Sequence, residues 1–173
     1  MTEQEQTLRD WMHRFGKRMI QLAFYYVKER MTAEDIVQDV FVKAFTRIEE
    51  LDAHPQIEFV LLRMTIQRSK DVLKSWSYRK QRLTGMLPLT RSETGLPENQ
   101  LMRKLGENEL LARLLGLPLK YREVVLLYYF EGYKSREIAE PLGEKQSTVR
   151  VRLTRALDKL RTQMQEEMPE WNV

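Results

Sequence analysis

SREIAEPLGEKQSTVRVRLTRALDKL, residues 135–160, places Ala139 four residues before Gly143 and Val149 six residues after it. Two short helices that cross steeply over a tight turn need a small residue at the crossing, a residue that tolerates positive φ in the turn, and an apolar anchor on the second helix. Ala139, Gly143 and Val149 supply these parts, and Ile138, Leu142 and Leu153 complete a small core. That arrangement sends Thr148, Arg150, Arg152 and Arg155 outward at the start of the second helix. A helix entering a major groove by its N-terminal end bonds guanine bidentately through Arg and neutralises phosphates with other cations. The competing account is a solvated face paired to neighbouring acids. Against it, 145–161 holds six basic residues and the single acid Asp158.

Working outward, an apolar helix is expected over 121–130, restarting after Pro118 and ending at Gly132. This second block spans 105–165. Before it, 83–104 carries Gly85, Pro88, Gly95 and Pro97 among Thr, Ser and Glu, the text of a flexible link. The first block, 8–82, opens with a helical stripe of Trp11, Phe15, Met19, Leu22 and Tyr26. Thr32 is expected to cap a second helix, with Asp35 reaching back as in a capping box. Ile36, Val37, Val40, Phe41, Ala44, Phe45 and Ile48 would face its core side, leaving Gln38, Asp39, Lys43 and Arg47 on the other. After a loop at His54 and Pro55, a third helix carries Leu62, Ile66, Ser69, Leu73 and Trp76 on one stripe. Its other faces are basic: 63–82 has seven cationic residues against one acid, Asp71. Cations gain from counterion release on a nucleic-acid backbone, and an exposed aromatic such as Tyr78 can stack on unpaired bases. Trp76, in line with Leu73, is assigned to the core instead.

With 42% hydrophobic and 31% charged residues, and only 7 Gly and 6 Pro in 173, the chain reads as folded and all-α, two small helical domains joined by a flexible linker. A net charge of +4 says less than where the cations lie. The absence of Cys excludes disulfides, thiolate metal sites and a Cys nucleophile. Two His and no phosphate-cradling Gly loop leave no adequate catalytic set. Asp35 with Asp39, and Asp10 with His13, are more simply helix-surface residues, so neither an enzyme nor a metal or other cofactor is expected. The polar N-terminal text and the lack of a long apolar run point to the cytoplasm.

YREVVLLYYFEGYKSREIAEPLG, 121–143, followed by STVRVRLTRAL, 147–157, resembles region 4 of the extracytoplasmic-function (ECF) sigma factors of the sigma-70 family. AEDIVQDVFVKAF, 33–45, is similar to their region 2.2, and 61–76 to regions 2.3 and 2.4. Order and separation match over roughly 15–161. The resemblance implies that Asp35, Gln38 and Asp39 dock on the β′ clamp of RNA polymerase. It gives Arg63, Gln67, Arg68, Lys70, Lys74 and Tyr78 to the −10 element, and Thr148, Arg150, Arg152 and Arg155 to the −35 element. It further implies a monomer whose partners are the β and β′ subunits of the core enzyme, promoter DNA and an anti-sigma factor, often membrane-anchored. Three features depart from the family pattern: Gln67 where Asn is usual, Pro141 inside the first helix of the pair, and Glu144 with Lys145 in the turn. A plain helix-turn-helix regulator, or a divergent sigma-like protein that does not initiate alone, remain the rival readings.

Overall fold

The computed structural model describes residues 1–84 and 109–167, without the side chains of Tyr78, 81–84 and Glu167. The described residues are helical and contain no strand. They fall into two compact units, one within 1–101 and one within 102–173. Apart from residues 83 and 84, which end a helix, the expected link lies outside the described residues, as do 105–108 of the second block.

In the first unit, α1 (Glu3–Val27) starts ahead of the apolar stripe because Thr2 and Glu5 form a capping box. The Glu5 N–H donates to Thr2 Oγ1 at 3.2 Å and the Thr2 N–H to Glu5 Oε2 at 2.8 Å. Trp11, Phe15, Met19, Leu22 and Tyr26 are all buried, as their spacing requires. The helix stops at Lys28, whose N–H still bonds to the Phe24 carbonyl at 2.8 Å while its left-handed φ of 59° turns the chain out of the helix.

That abrupt turn moves the start of the next helix. α2 (Arg30–Phe45) is capped by Glu29, not by Thr32, which sits inside the first turn. The Glu29 carboxylate accepts from the Met31 N–H at 3.0 Å and the Thr32 N–H at 2.7 Å, and the Thr32 hydroxyl donates to it as well. Ile36, Val37, Val40, Phe41 and Ala44 are buried as expected. Phe45 is not: α2 ends there and it is 37% exposed, so Ile48, expected on the same helix, is instead buried from the short α3 (Ile48–Asp52) together with Leu51.

α4 (Ile57–Thr84) packs on α1 and α2 and buries Leu61, Leu62 and Ile66 together with Thr65 and Ser69. Both hydroxyls are satisfied along the helix, Thr65 by the Leu61 carbonyl at 2.8 Å and Ser69 by the Thr65 carbonyl at 2.7 Å. Leu73 and Trp76, expected in the core, are only half-buried. An ion pair between Arg18 and Glu58 ties α1 to the first turn of α4.

The second unit contains α5 (Glu109–Leu115), α6 (Leu119–Val125), α7 (Ser135–Leu142) and α8 (Gln146–Glu167). Pro118 restarts the chain as α6, and the buried Arg122 donates from Nη1 to the Leu115 carbonyl at 2.9 Å, closing the end of α5. The helix expected through 130 widens into a π turn at Leu126–Phe130, with the Glu131 N–H bonded to the Leu126 carbonyl at 3.1 Å. Leu126 and Leu127 point into the core while Tyr128, Tyr129 and Phe130 are exposed. Gly132, at φ 74°, ends the segment.

Burial opposes the ionised form of Glu29, but the Thr32 hydroxyl and the N–H groups of Thr32 and Met31 outweigh it and hold the carboxyl below its ordinary value of 4.5. Because the folded-state value is depressed, the cap's contribution is full above 4.5 and is lost as pH falls through the lower folded value. Glu29→Ala is expected to cost about 1 kcal/mol at neutral pH in urea unfolding. The gap between variant and parent should close as the solution is acidified below 4.5.

Candidate nucleic-acid interface

α7 and α8 form the expected pair. Gly143 adopts φ 64° and its N–H bonds back to the Glu140 carbonyl at 3.1 Å, while the Glu144 N–H reaches the Ala139 carbonyl at 3.0 Å. No atom lies within 4 Å of a Cβ placed on Gly143, so the turn needs glycine for its backbone angle and not for space. Pro141 occupies the last turn of α7 without ending the helix early. Its ring removes the N–H that would have met the Glu137 carbonyl, and with only Leu142 after it in the helix the loss is confined to the end of α7.

α8 buries Val149, Leu153, Ala156 and Leu160 along one seam and packs on α6 and α7. Ile138 and Ala139 lie beneath it; Leu142, expected in the same core, is half-buried. The opposite face is turned to solvent. Arg150 and Arg155 are exposed and pair with no carboxylate among the described residues. Thr148 is half-buried. Arg152 differs from the expectation of an unpaired face: its Nη2 donates to Glu144 Oε1 at 2.7 Å. That acid lies just ahead of the basic stretch, between Gly143 and the first residue of α8, and reaches along the helix start to a residue eight positions on. Asp158, the acid inside the stretch, lies 3.9 Å from Arg161 instead.

Sequence pattern also missed the flank of this face. A groove of about 350 Å³ is lined by Lys120 and Tyr121 from α6 and by Ser147, Thr148, Val151, Arg152 and Arg155 from α8. The ammonium groups of Lys120 and Lys159 stand 5.0 and 5.5 Å from the Tyr121 ring, within cation–π range. Pro118 marks where α6 begins, and with it Lys120, but nothing in the spacing says which helix end lies beside that lysine.

In the first unit, Asp35, Gln38 and Asp39 are exposed on the outer face of α2, and Val42 on the same face is 68% exposed. Arg63, Gln67, Arg68 and Lys74 are exposed along α4, and Lys70 is half-buried. Tyr78 belongs to α4, but its side chain lies outside the described structure. The two residue sets meet at one point, where Arg68 Nε and Nη2 donate to Asp39 Oδ2 at 3.1 and 2.9 Å. Gln67 donates from Nε2 to Asp71 Oδ1 at 3.0 Å, which leaves its amide oxygen as the acceptor facing solvent. A groove of about 930 Å³ runs between α2, α3 and α4, lined by Asp39, Lys43, Arg47, Arg63, Gln67 and Arg68 among others. Arg47 and Glu50 pair within it at 2.7 Å; that hydrogen bond, then the coulombic attraction, lowers the Glu50 carboxyl below its ordinary value. Asp10, one of the rejected catalytic candidates, pairs with Arg14 at 3.2 Å on α1.

A helix-turn-helix with an exposed cationic second helix in one unit, and a basic helix in a separately packed other, define a two-domain helical nucleic-acid-binding protein. The "Sigma-70 region 2" family model matches 11–82 and the "Sigma-70, region 4" model matches 107–160. RNA polymerase sigma factor SigV of Bacillus subtilis is 31% identical over 155 residues, covering 84% of each chain. ECF RNA polymerase sigma factor SigW of the same organism is 26% identical over 160 residues, covering 88% of this chain and 86% of its own. Among solved structures, the sigma factor RpoE in complex with the anti-sigma factor NepR from Bartonella quintana shares the fold at a TM-score of 0.66 and 18% identity, covering 95% of this chain and 98% of that one. The chain belongs to the sigma-70 family, among its ECF sigma factors.

Glu144→Gln is expected to release Arg152 and tighten binding to nonspecific duplex DNA by roughly two- to fivefold at low salt, read by fluorescence anisotropy. Weaker binding would show that the acid positions the arginine and does not mask it. Gly143→Ala should cost about 1 kcal/mol in thermal unfolding, all of it backbone strain.

Proposed function

We propose that this chain is the promoter-reading subunit of a bacterial RNA polymerase, holding the −35 duplex on α8 and the opened −10 strand on α4. The observation that carries the reading is the start of α8: Arg150 and Arg155 exposed and unpaired by acids among the described residues, on a helix fixed through buried Val149, with Lys120 at its flank. Such a helix end meets base edges, while the surrounding cations meet phosphates. On α4, Arg63, Arg68, Lys70 and Lys74 supply the backbone charge, and Gln67 supplies an amide for base contact.

The outer face of α2, with Asp35, Gln38, Asp39 and the exposed Val42, is assigned to the β′ clamp of the core enzyme. Charged groups at such a rim set encounter and orientation more than affinity, so single changes there should cost little. Region 4 is assigned to the β subunit and −35 DNA together. RpoE in the solved structure is bound by an anti-sigma factor. An inhibitor of that class, covering the polymerase-binding faces, is the expected regulator here. No helix among the described residues is long and apolar enough to cross a membrane. A cytoplasmic site of action is the one this role requires. The chain adds no catalytic step; bond formation belongs to the polymerase, and this subunit acts as a monomer.

Run-off transcription with purified core enzyme on a promoter library tests the assignment. Specific initiation is the expected result; core binding without initiation would favour a sigma-like interaction protein instead. Replacing Arg150, Arg152 and Arg155 together by Ala should weaken promoter binding and flatten the slope of log K against log salt by about 0.9 for each phosphate no longer neutralised. An unchanged slope would remove the second helix from the DNA interface.

A further inference from the structure

We infer that Val151 reads the 5-methyl group of a thymine in the −35 duplex and is a specificity-determining residue of this chain. The inference rests on the reading of α8 as the helix that enters the major groove, and goes beyond it to the base that the helix selects. Val151 is 46% exposed, in the second turn of α8, on the side away from the buried seam of Val149, Leu153 and Ala156. Helix periodicity sets it in line with Ser147 one turn before and Arg155 one turn after, and it lines the same groove as Lys120 and Arg152.

An uncharged branched side chain in the middle of a cationic face is not explained by helix formation, since valine is a poorer helix former than alanine. Nor does the core explain it, because the core lies on the other side of α8. What valine offers is a pair of methyl groups held in one strongly preferred rotamer. The cations around it draw the duplex backbone to this face, so the surface arriving at its centre is the edge of a base pair. In the major groove the one apolar feature of that edge is the thymine C5-methyl. A protein partner would meet the same valine only by also burying the arginines that flank it, at a desolvation cost that phosphates offset directly.

The test uses full-length protein assembled with core polymerase on a promoter obtained by selection. Each −35 thymine is replaced in turn by deoxyuridine, which removes the methyl and nothing else. With the parent protein, one such position is expected to lose about three- to fivefold in promoter binding, the worth of one buried methyl. Val151→Ala should bind the thymine promoter more weakly by a similar factor and be indifferent to uracil at that position. Val151→Ile should keep the discrimination, which separates methyl contact from a general loss of folding. The inference fails if every uracil substitution acts equally on parent and Val151→Ala, or if the selected element lacks a constant thymine. Failure to select any −35 element would overturn the reading of α8 along with it, whereas a selected element indifferent to Val151 would overturn the valine alone.

Discussion

The burial of Val149 against α6 and α7 is the contact on which the rest of the second unit depends. Residues on a helix recur every 3.6 positions, so fixing Val149, Leu153, Ala156 and Leu160 inward leaves Ser147, Arg150, Val151 and Arg155 outside. The left-handed backbone at Gly143 makes that burial possible by turning the chain sharply enough for α8 to cross α7. A cationic interface is thus oriented by an apolar seam on the opposite side of the same helix. Base readout needs side chains held in fixed positions, and a packed seam holds them more firmly than surface ion pairs would.

The charges themselves are less isolated than a basic stretch suggests. Arg152 is held by Glu144 and Arg68 by Asp39, both through short hydrogen-bonded contacts. Each pair is at least partly exposed, so each contributes little to stability and is readily exchanged for a stronger partner. A phosphate, with its condensed counterions to release, is such a partner. Arg68–Asp39 joins a residue assigned to promoter DNA with one assigned to the core enzyme.

At the junction of α1 and α2, a single tight turn decides which residue caps the second helix. Thr32 with Asp35 satisfies the pattern of a helix start, yet Lys28 ends α1 in a left-handed conformation and brings Glu29 up to the first turn of α2. A carboxylate then serves two backbone donors and a hydroxyl, and Thr32 becomes a donor within the helix. Phe45 falls where α2 stops and is exposed, and the apolar stripe resumes only in α3, where Ile48 and Leu51 are buried.

Periodicity alone determined the helical class, the buried stripes of α1 and α2, the restart after Pro118, and the helix-turn-helix with its glycine, because each of these is a local relation between neighbours a few residues apart. Family likeness of two segments in the right order extended this to a role. Only the tertiary structure decided which cations are already paired, since Glu144 reaches Arg152 from just ahead of α8 and Asp39 reaches Arg68 from 29 residues away. It alone set Lys120 beside α8 and left Val151 in the open. Hydrophobic spacing states that a face is buried or free, but which atoms meet across two elements depends on how those elements pack, and that is a property of the whole core.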